Sequence, residues 1–336
     1  MGSIVFEPKV LVDTLSELVG YKAGLALSIE EMCDHLKDSY ADDIRASEEG
    51  YIRLRAEDYE ALFHKLLYRI GHTEEEFDGD MLGTFLWHKY KQHHEIVGAV
   101  KGLYTKMWMG ILSAAAPVGK ELDPMPFLEE AERLYGPLGW KIAWEQVQAI
   151  DRGLRLSPNT RQRYVEWSNV ESLKNLFQDT QHSSEHGIFI DQRFIDFLDN
   201  NQEQLSNMHW RKFEALTAEF FSRCGFKVEL GPGRNDDGVD VRIWRADHDV
   251  ERTSPTCIVQ CKREKQKVSK VVVKGLYADL RHEGAEYGLI VTSNELSVGA
   301  RRTIHARGYP IQEANSKTLA QWLDVLRTPG TGIVRV

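Results

Sequence analysis

GRNDDGVDVRIWRADHDVERTSPTCIVQCKRE, residues 233–264, decides the reading of this chain. An Asn/Asp/Gly cluster ends on Asp240 just as an alternating apolar segment begins, and the returning segment CIVQCK carries Lys262 where a sheet interior would be apolar. Two short β-branched runs bounded by turn residues predict a pair of antiparallel strands. Because side chains alternate between faces, Ile258, Gln260 and Lys262 share one face of the return strand and Val259 and Cys261 the other. Asp240 opens the outgoing strand and Lys262 closes the returning one, so pairing brings a carboxylate and an ammonium to the same end of the sheet.

That juxtaposition suits hydrolysis of a phosphodiester. Asp240 offers oxygen to a hard divalent cation, with the Gln260 side-chain oxygen and the Cys261 main-chain carbonyl as further ligands; magnesium keeps several of its waters, so few protein ligands suffice. A water acidified by Mg2+ or Mn2+ and oriented by Lys262 is the nucleophile such a set would use. Taken singly the residues mean little. Asn235, Asp236 and Gly238 are ordinary turn formers, and a lysine on a strand ordinarily faces water from a sheet edge. Their joint order and phase carry the reading.

Around this pair the pattern predicts an α/β unit. Phe213, Leu216, Phe220 and Phe221 make a helical stripe, with Asn207 as the expected N-cap. Strands FKVEL, VDVRIW and CIVQCK follow, then a helix from Val268 to Leu280 with Val271, Val272, Gly275 and Leu276 in phase. YGLIVT, the helix ARRTIHARG, a short PIQEA strand and the helix SKTLAQWLDVL complete the order.

The first 180 or so residues read as helical throughout. SIEEMCDHL opens with Ser28 and has Glu31 three positions on, the spacing of a capping box. Tyr59, Leu62, Phe63, Leu66, Leu67 and Ile70 fall on one helical face. Breaks are expected at GHTEEEFDGD, APVGKELDPMP and LSPNTRQ. DTQHSSEHG, ending at Gly187, is polar and aperiodic and predicts a linker, dividing the chain into a helical domain, 1–187, and a second domain, 188–336. His64, His72, His88, His93 and His94 lack a carboxylate spaced as in H-E-x-x-H, and Trp87, Trp108, Trp140, Trp144 and Trp167 are explained by core packing before any base-stacking cage.

GPGRNDDGVD at 231–240 and VQCK at 259–262, preceded by Phe213-Glu214 and followed by LIVT at 289–292, resemble the Mrr-type restriction endonucleases, a branch of the PD-(D/E)xK nucleases. The resemblance covers about residues 208–326. It implies an α/β restriction-endonuclease-like domain with a mixed central sheet flanked by helices; the helical pattern of the preceding residues predicts an all-α N-terminal domain, so the chain is expected to be α+β overall. The resemblance further implies Asp240, Gln260 and Lys262 as the active-site triad, with Glu214 completing the site. Gln260 stands where the wider group has an acid, although glutamine is usual in the Mrr branch; Asp237 stands where that branch commonly has a second glycine. The function implied is DNA cleavage in restriction or antiviral defence. Repair of branched DNA, or DNA binding without cleavage, are the alternative readings.

Charge is unevenly spread along the chain. Residues 1–200 hold 21 Lys and Arg against 34 Asp and Glu, a balance of −13, whereas residues 201–336 hold 21 against 17, a balance of +4. The basic part is the part that would meet a polyanion. Arg263, Lys265, Lys267, Lys270 and Lys274 run on from Lys262 and are candidates for phosphate contacts, with Arg301, Arg302 and Arg307 extending them. The acidic helical domain is then expected to sense targets, to oligomerise the chain as a homo-oligomer or to dock a protein partner. No apolar run approaches the roughly 20 residues of a membrane span, and four cysteines without C-x-x-C spacing fit a reducing, cytoplasmic setting.

Overall fold

The computed structural model describes residues 3–36, 41–46, 50–76, 85–109, 122–178, 186–233 and 238–328. The expected linker DTQHSSEHG lies outside these residues except for its last two positions, as do most of APVGKELDPMP and the turn residues 234–237. None of the described helices is long and apolar enough to cross a membrane.

The chain clusters into two compact units. The first comprises residues 1–7, 49–65 and 75–166, and the second residues 8–48, 66–74 and 167–336. In the N-terminal half the elements are β1 (Ser3–Phe6), α1 (Pro8–Ala23), β2 (Leu25–Ala26), α2 (Ile29–His35), α3 (Ala41–Ala46), β3 (Ile52–Arg55) and α4 (Ala56–Arg69). After them come α5 (Phe85–Lys89), α6 (His94–Met107), α7 (Met125–Leu156), β4 (Glu171–Ser172) and α8 (Leu173–Gln178).

This half is therefore not helical throughout. Ile52 and Leu54 alternate with two arginines and bury their side chains, a strand pattern too short to stand out from sequence, and β3 pairs antiparallel with β1. The helical expectations hold elsewhere. Ser28 and Glu31 form the full capping box at α2, and Tyr59, Leu62, Phe63, Leu66, Leu67 and Ile70 are all buried. In α7 Gly136, at φ 69°, joins two helices just before Pro137, a residue that cannot continue the ladder. The core of the first unit gathers Leu86, Val97, Val100, Trp108, Phe127, Ile142 and Ala143, so Trp108 is a packing residue.

The second half follows the predicted order. It runs α9 (Gln192–Asn200), a short 3-10 turn, α10 (Trp210–Arg223), β5 (Lys227–Leu230), β6 (Val241–Trp244) and β7 (Cys257–Lys262). It ends with α11 (Lys270–Glu283), β8 (Tyr287–Thr292), α12 (Val298–Arg307), β9 (Ile311–Ala314) and α13 (Ser316–Leu326). The five strands lie in the order β5-β6-β7-β8-β9, the first two pairings antiparallel and the last two parallel. The mixed sheet flanked by helices expected of the C-terminal domain is thus present, in a chain that is α+β overall.

Two local expectations differ. The N-cap of α10 is His209, whose ring nitrogen accepts from the Arg211 N–H; Asn207 belongs instead to the preceding turn, where its amide donates to Gln204. The buried stripe of α11 is Val273, Leu276 and Leu280, while Val271 is 70% exposed, because Ser269 caps the helix and rotates Val271 away from the sheet. These three residues pack with Ile258, Ile290, Ala300 and Ile311 into one core.

Within the second unit, α9 is held by residues distant in sequence. Arg193 is buried, forks onto both oxygens of Asp191 at 2.8 and 2.7 Å, and donates to the carbonyls of Gly24 and Asn169. Arg327 donates to Asp199, Asn200 and the Thr73 carbonyl. Between these, Asp196 accepts from Gln192 and from the Thr328 N–H, and burial pushes its carboxyl up to about 7.

The raised value makes the folded state hold a proton that the unfolded chain releases. Stability from this group is full below about pH 4 and is lost as pH rises through about 7. Asp196→Asn keeps the hydrogen-bond geometry without the charge, so thermal denaturation of the variant is expected to fall less between pH 5 and pH 8 than that of the unaltered chain, a difference on the order of 1–3 kcal/mol. Parallel melting curves across that range check it.

Candidate active site

β6 begins at Val241, whose partner is Val259, so the antiparallel ladder ends there while β7 runs on through Gln260, Cys261 and Lys262. Asp240 takes over where the ladder stops. Its N–H donates to the Val259 carbonyl at 2.9 Å and its carboxylate accepts the Cys261 N–H at 2.6 Å. In a strand the N–H and C=O of one residue project to the same side, so the Cys261 carbonyl faces the side occupied by Asp240. On the other edge β7 pairs in parallel with β8, Gln260 opposite Ile290 and Lys262 opposite Thr292.

Glu214 arrives from α10 and is 4% exposed; Asp240 is 8% exposed. The two carboxyls share a hydrogen bond, and burial first, the Asp240 charge second, push Glu214 up to about 8 against the pull of Arg211. Arg211 forms an ion pair with Glu214 at 2.7 Å and donates its other terminal nitrogen to the Gly231 carbonyl. One guanidinium thereby ties the helix to the glycine loop that delivers Asp240. Sequence reasoning passed over Arg211, although its i,i+3 spacing from Glu214 places both on one helix face.

Gln260 contributes an oxygen with nothing to satisfy it: its Oε1 is buried and lacks a hydrogen-bond partner among the described residues. Unsatisfied buried acceptors cost about 1–3 kcal/mol and call for an explanation. Gly238, at φ 86°, leaves room beside the Gln260 amide nitrogen, since an added Cβ would lie 2.9 Å from Nε2. The Asp240 carboxylate, the orphaned Gln260 amide oxygen and the Cys261 main-chain carbonyl are hard oxygen donors, the type a divalent cation takes. The Cys261 thiol leaves β7 on the face opposite Gln260 and meets α10, 3.6 Å from Thr217, with its pKa raised well above the ordinary thiol range by burial first and the Asp240 charge second. Among the described residues no group of three or more His, Cys, Asp and Glu side chains is placed to hold a metal ion.

The basic residues that follow Lys262 differ in their availability. Arg263 donates to the Ser206 carbonyl at 2.5 Å, anchoring the strand end to the turn before α10. Lys267 forms an ion pair with Glu295 at 2.5 Å, and Glu295 also holds Arg301, which is paired with Glu313 as well. Lys265, Lys270 and Lys274 are exposed. Of the N-terminal candidates, His64 and His72 are buried and burial holds His72 down at about 4, while Trp140 and Trp144 stack on each other 6.1 Å apart.

Residues 205–323, 119 of the chain's 336, match the model of the Mrr_cat family, described as restriction endonuclease. A solved structure of the MspJI restriction endonuclease in complex with a 27-mer oligonucleotide is similar over 56% of this chain and 41% of that one, with 22% identity and a TM-score of 0.31. The DNA modification-dependent restriction endonuclease AspBHI is similar over 46% of this chain and 40% of that one, with 16% identity and a TM-score of 0.31. The chain spans less than half the length of either. No curated protein matches it.

The positive φ and close approach at Gly238 generate a direct test. Gly238→Ala must strain the backbone and displace the Gln260 amide, and is expected to cost about 1–2 kcal/mol of stability in the metal-free protein. Denaturant titration of the two proteins measures the difference.

Proposed function

We propose that this protein is a metal-dependent endonuclease that hydrolyses DNA phosphodiester bonds in restriction or antiviral defence, with Glu214, Asp240, Gln260 and Lys262 as its catalytic groups. The observation that carries this reading is the set of buried oxygens near the end of β7: Asp240 bonded to the Cys261 N–H, Glu214 beside Asp240, and the unpartnered Gln260 Oε1. The match of residues 205–323 to a restriction endonuclease family supports it. Domains of this type generally use divalent metals; here Asp240, Gln260 and the Cys261 carbonyl would hold Mg2+ or Mn2+, which supplies charge neutralisation at the phosphate and a more acidic water.

The chain's own residues do the rest. Asp240 is fixed by two main-chain bonds and so presents its remaining lone pairs without reorganising. Burial and the Asp240 charge raise the Glu214 carboxyl in the metal-free protein, while the Arg211 guanidinium opposes that rise. Lys262, at the last position of β7, orients the attacking water and contacts the scissile phosphate as a compact point charge. Lys265, Lys270 and Lys274 contact neighbouring phosphates; Lys267 joins them only by exchanging Glu295 for phosphate, and Arg263 serves chiefly to anchor Ser206. DNA strands are bound by backbone charge, without base readout.

Residues 188–336 are the nuclease domain in this reading, and residues 1–187 supply target sensing, oligomerisation or partner docking. The dividing point has a stability consequence. A fragment beginning at residue 188 loses the Gly24 and Asn169 partners of Arg193, the Tyr68 and Arg69 carbonyls held by Asn200 and Asn201, and the Thr73 carbonyl held by Arg327. At about 1 kcal/mol per bond, it is expected to melt below the full chain yet to cut DNA with magnesium and to lose selectivity. A fragment that is folded by circular dichroism and inactive at every metal concentration counts against independent nuclease activity.

Single-site variants separate binding from chemistry. Asp240→Ala is expected to lower plasmid cleavage on the order of a thousandfold, since cation and water act as a unit. Lys262→Ala loses cleavage and retains most affinity, whereas Lys270→Ala with Lys274→Ala weakens affinity and flattens its salt dependence by about two counterions. Cleavage assays and salt titrations of binding read both; undiminished nicking by Asp240→Ala ends the proposal.

A further inference from the structure

Trp210, the first residue of α10, is 40% exposed, whereas Trp244 and Trp322 of the same region are 4% and 8% exposed. A tryptophan with two-fifths of its surface in water forgoes a substantial part of the burial that justifies so large a side chain. Its position is not remote. Gly233, in the loop that delivers Asp240, lies so close that an added Cβ would fall 3.0 Å from Trp210 Cη2 and 2.8 Å from Arg211 Nη1. Arg211 in turn pairs with Glu214. The distal ring edge is therefore one side chain away from the buried acid pair.

The ring is also held in place. The Arg211 guanidinium stands 5.8 Å from its centre and the His209 ring 5.2 Å, tilted by 38°. His209 is locked in turn, its Nδ1 accepting from the Arg211 N–H and its main-chain N–H donating to the Phe177 carbonyl. Gly233 has φ 77°, a conformation open to glycine that lets the loop lie against the indole without a side chain intervening. A rigid, half-exposed aromatic beside a phosphate-cleaving site has the form of a stacking platform, since every base offers a π face whatever its identity.

We propose that Trp210 stacks on an unpaired nucleobase next to the phosphate held at Asp240 and Lys262, so that the site favours DNA with a base outside the duplex stack. This rests on the nuclease reading above. The lysines at 265, 270 and 274 follow β7, and Trp210 stands on the helix that carries Glu214, so backbone and base are received by different elements. Stacking of this type contributes about 1–3 kcal/mol per base by alanine substitution, which corresponds to roughly a tenfold change in affinity or more.

The test uses the full chain in calcium, with binding of a fluorescent single-stranded DNA and of a perfect duplex measured by anisotropy. Trp210→Ala is expected to weaken the single strand about tenfold and the duplex less than twofold, while Trp210→Phe keeps most of the single-strand affinity. Unchanged single-strand affinity in Trp210→Ala overturns the proposal. So does an equal loss on both DNAs, an equal loss in the Phe and Ala variants, or failure of the unaltered protein to bind the single strand. Cleavage by the unaltered protein in magnesium is scored separately: binding with the expected Trp210 dependence but no cleavage fails the catalytic reading alone, and cleavage with an indifferent Trp210 fails the stacking alone.

Discussion

The hydrogen bond from the Cys261 N–H to the Asp240 carboxylate, 2.6 Å long, is the constraint on which the site depends. A strand that outlives its neighbour leaves main-chain groups without ladder partners, and a buried unpaired N–H costs about as much as a lost hydrogen bond. Here a side chain replaces the missing strand. That replacement holds the carboxylate beside the main chain of β7, and its neighbours answer to it: burial and the Asp240 charge raise the Glu214 carboxyl, and Arg211 bridges Glu214 and the Gly231 carbonyl. Removing any one of these would leave a buried polar group unpaired, so the cluster stands or falls as a network.

How much of this was legible in the sequence depends on the range of the interaction that fixes each part. Strand alternation and capping are local, and β6, β7, β8 and α13 appear where the pattern puts them. Glu214 meets Asp240 because α10 packs against the sheet where β6 begins, a neighbourhood that the order of elements already implied. The misses have a common cause. His209 rather than Asn207 caps α10 because a 3-10 turn absorbs Asn207, and Val271 faces water because Ser269 sets the rotation of α11. Each is a shift of one or two residues in phase, which periodicity alone does not resolve. The pairing of Lys267 with Glu295 was hidden for a different reason, since the two stand on segments 28 positions apart in the sequence and only tertiary folding joins them.

The distribution of charge takes on a different meaning once pairings are known. The balance of +4 over residues 201–336 suggests a basic surface, yet Arg242, Arg245 and Arg301 are bonded to Glu283, Glu286 and Glu313. The exposed Arg245–Glu286 pair contributes about 0–1 kcal/mol and costs little to exchange for phosphate, whereas Arg242 is forked onto both oxygens of the half-buried Glu283. A polyanion would therefore meet a surface whose arginines are partly engaged and whose lysines at 265, 270 and 274 stand out in water. Affinity from such a surface is electrostatic and falls with salt, leaving selectivity to be supplied by shape and by groups other than charge.

The compact unit that contains the sheet is not contiguous in the chain. It takes in residues 8–48 and 66–74, and its tightest long-range ties close loops of very different lengths: Arg193 reaches back to Gly24, and Arg327 to Thr73, 254 positions away. Loop-closure entropy grows slowly with length, so such ties are affordable once formed, but contacts this distant form late. α9 sits at their meeting point, with Asp196 and Gln192 receiving the chain just beyond α13. Completion of this unit therefore takes residues from both halves of the chain, and Arg327, just beyond α13, ties the end of the sheet-bearing segment to Thr73.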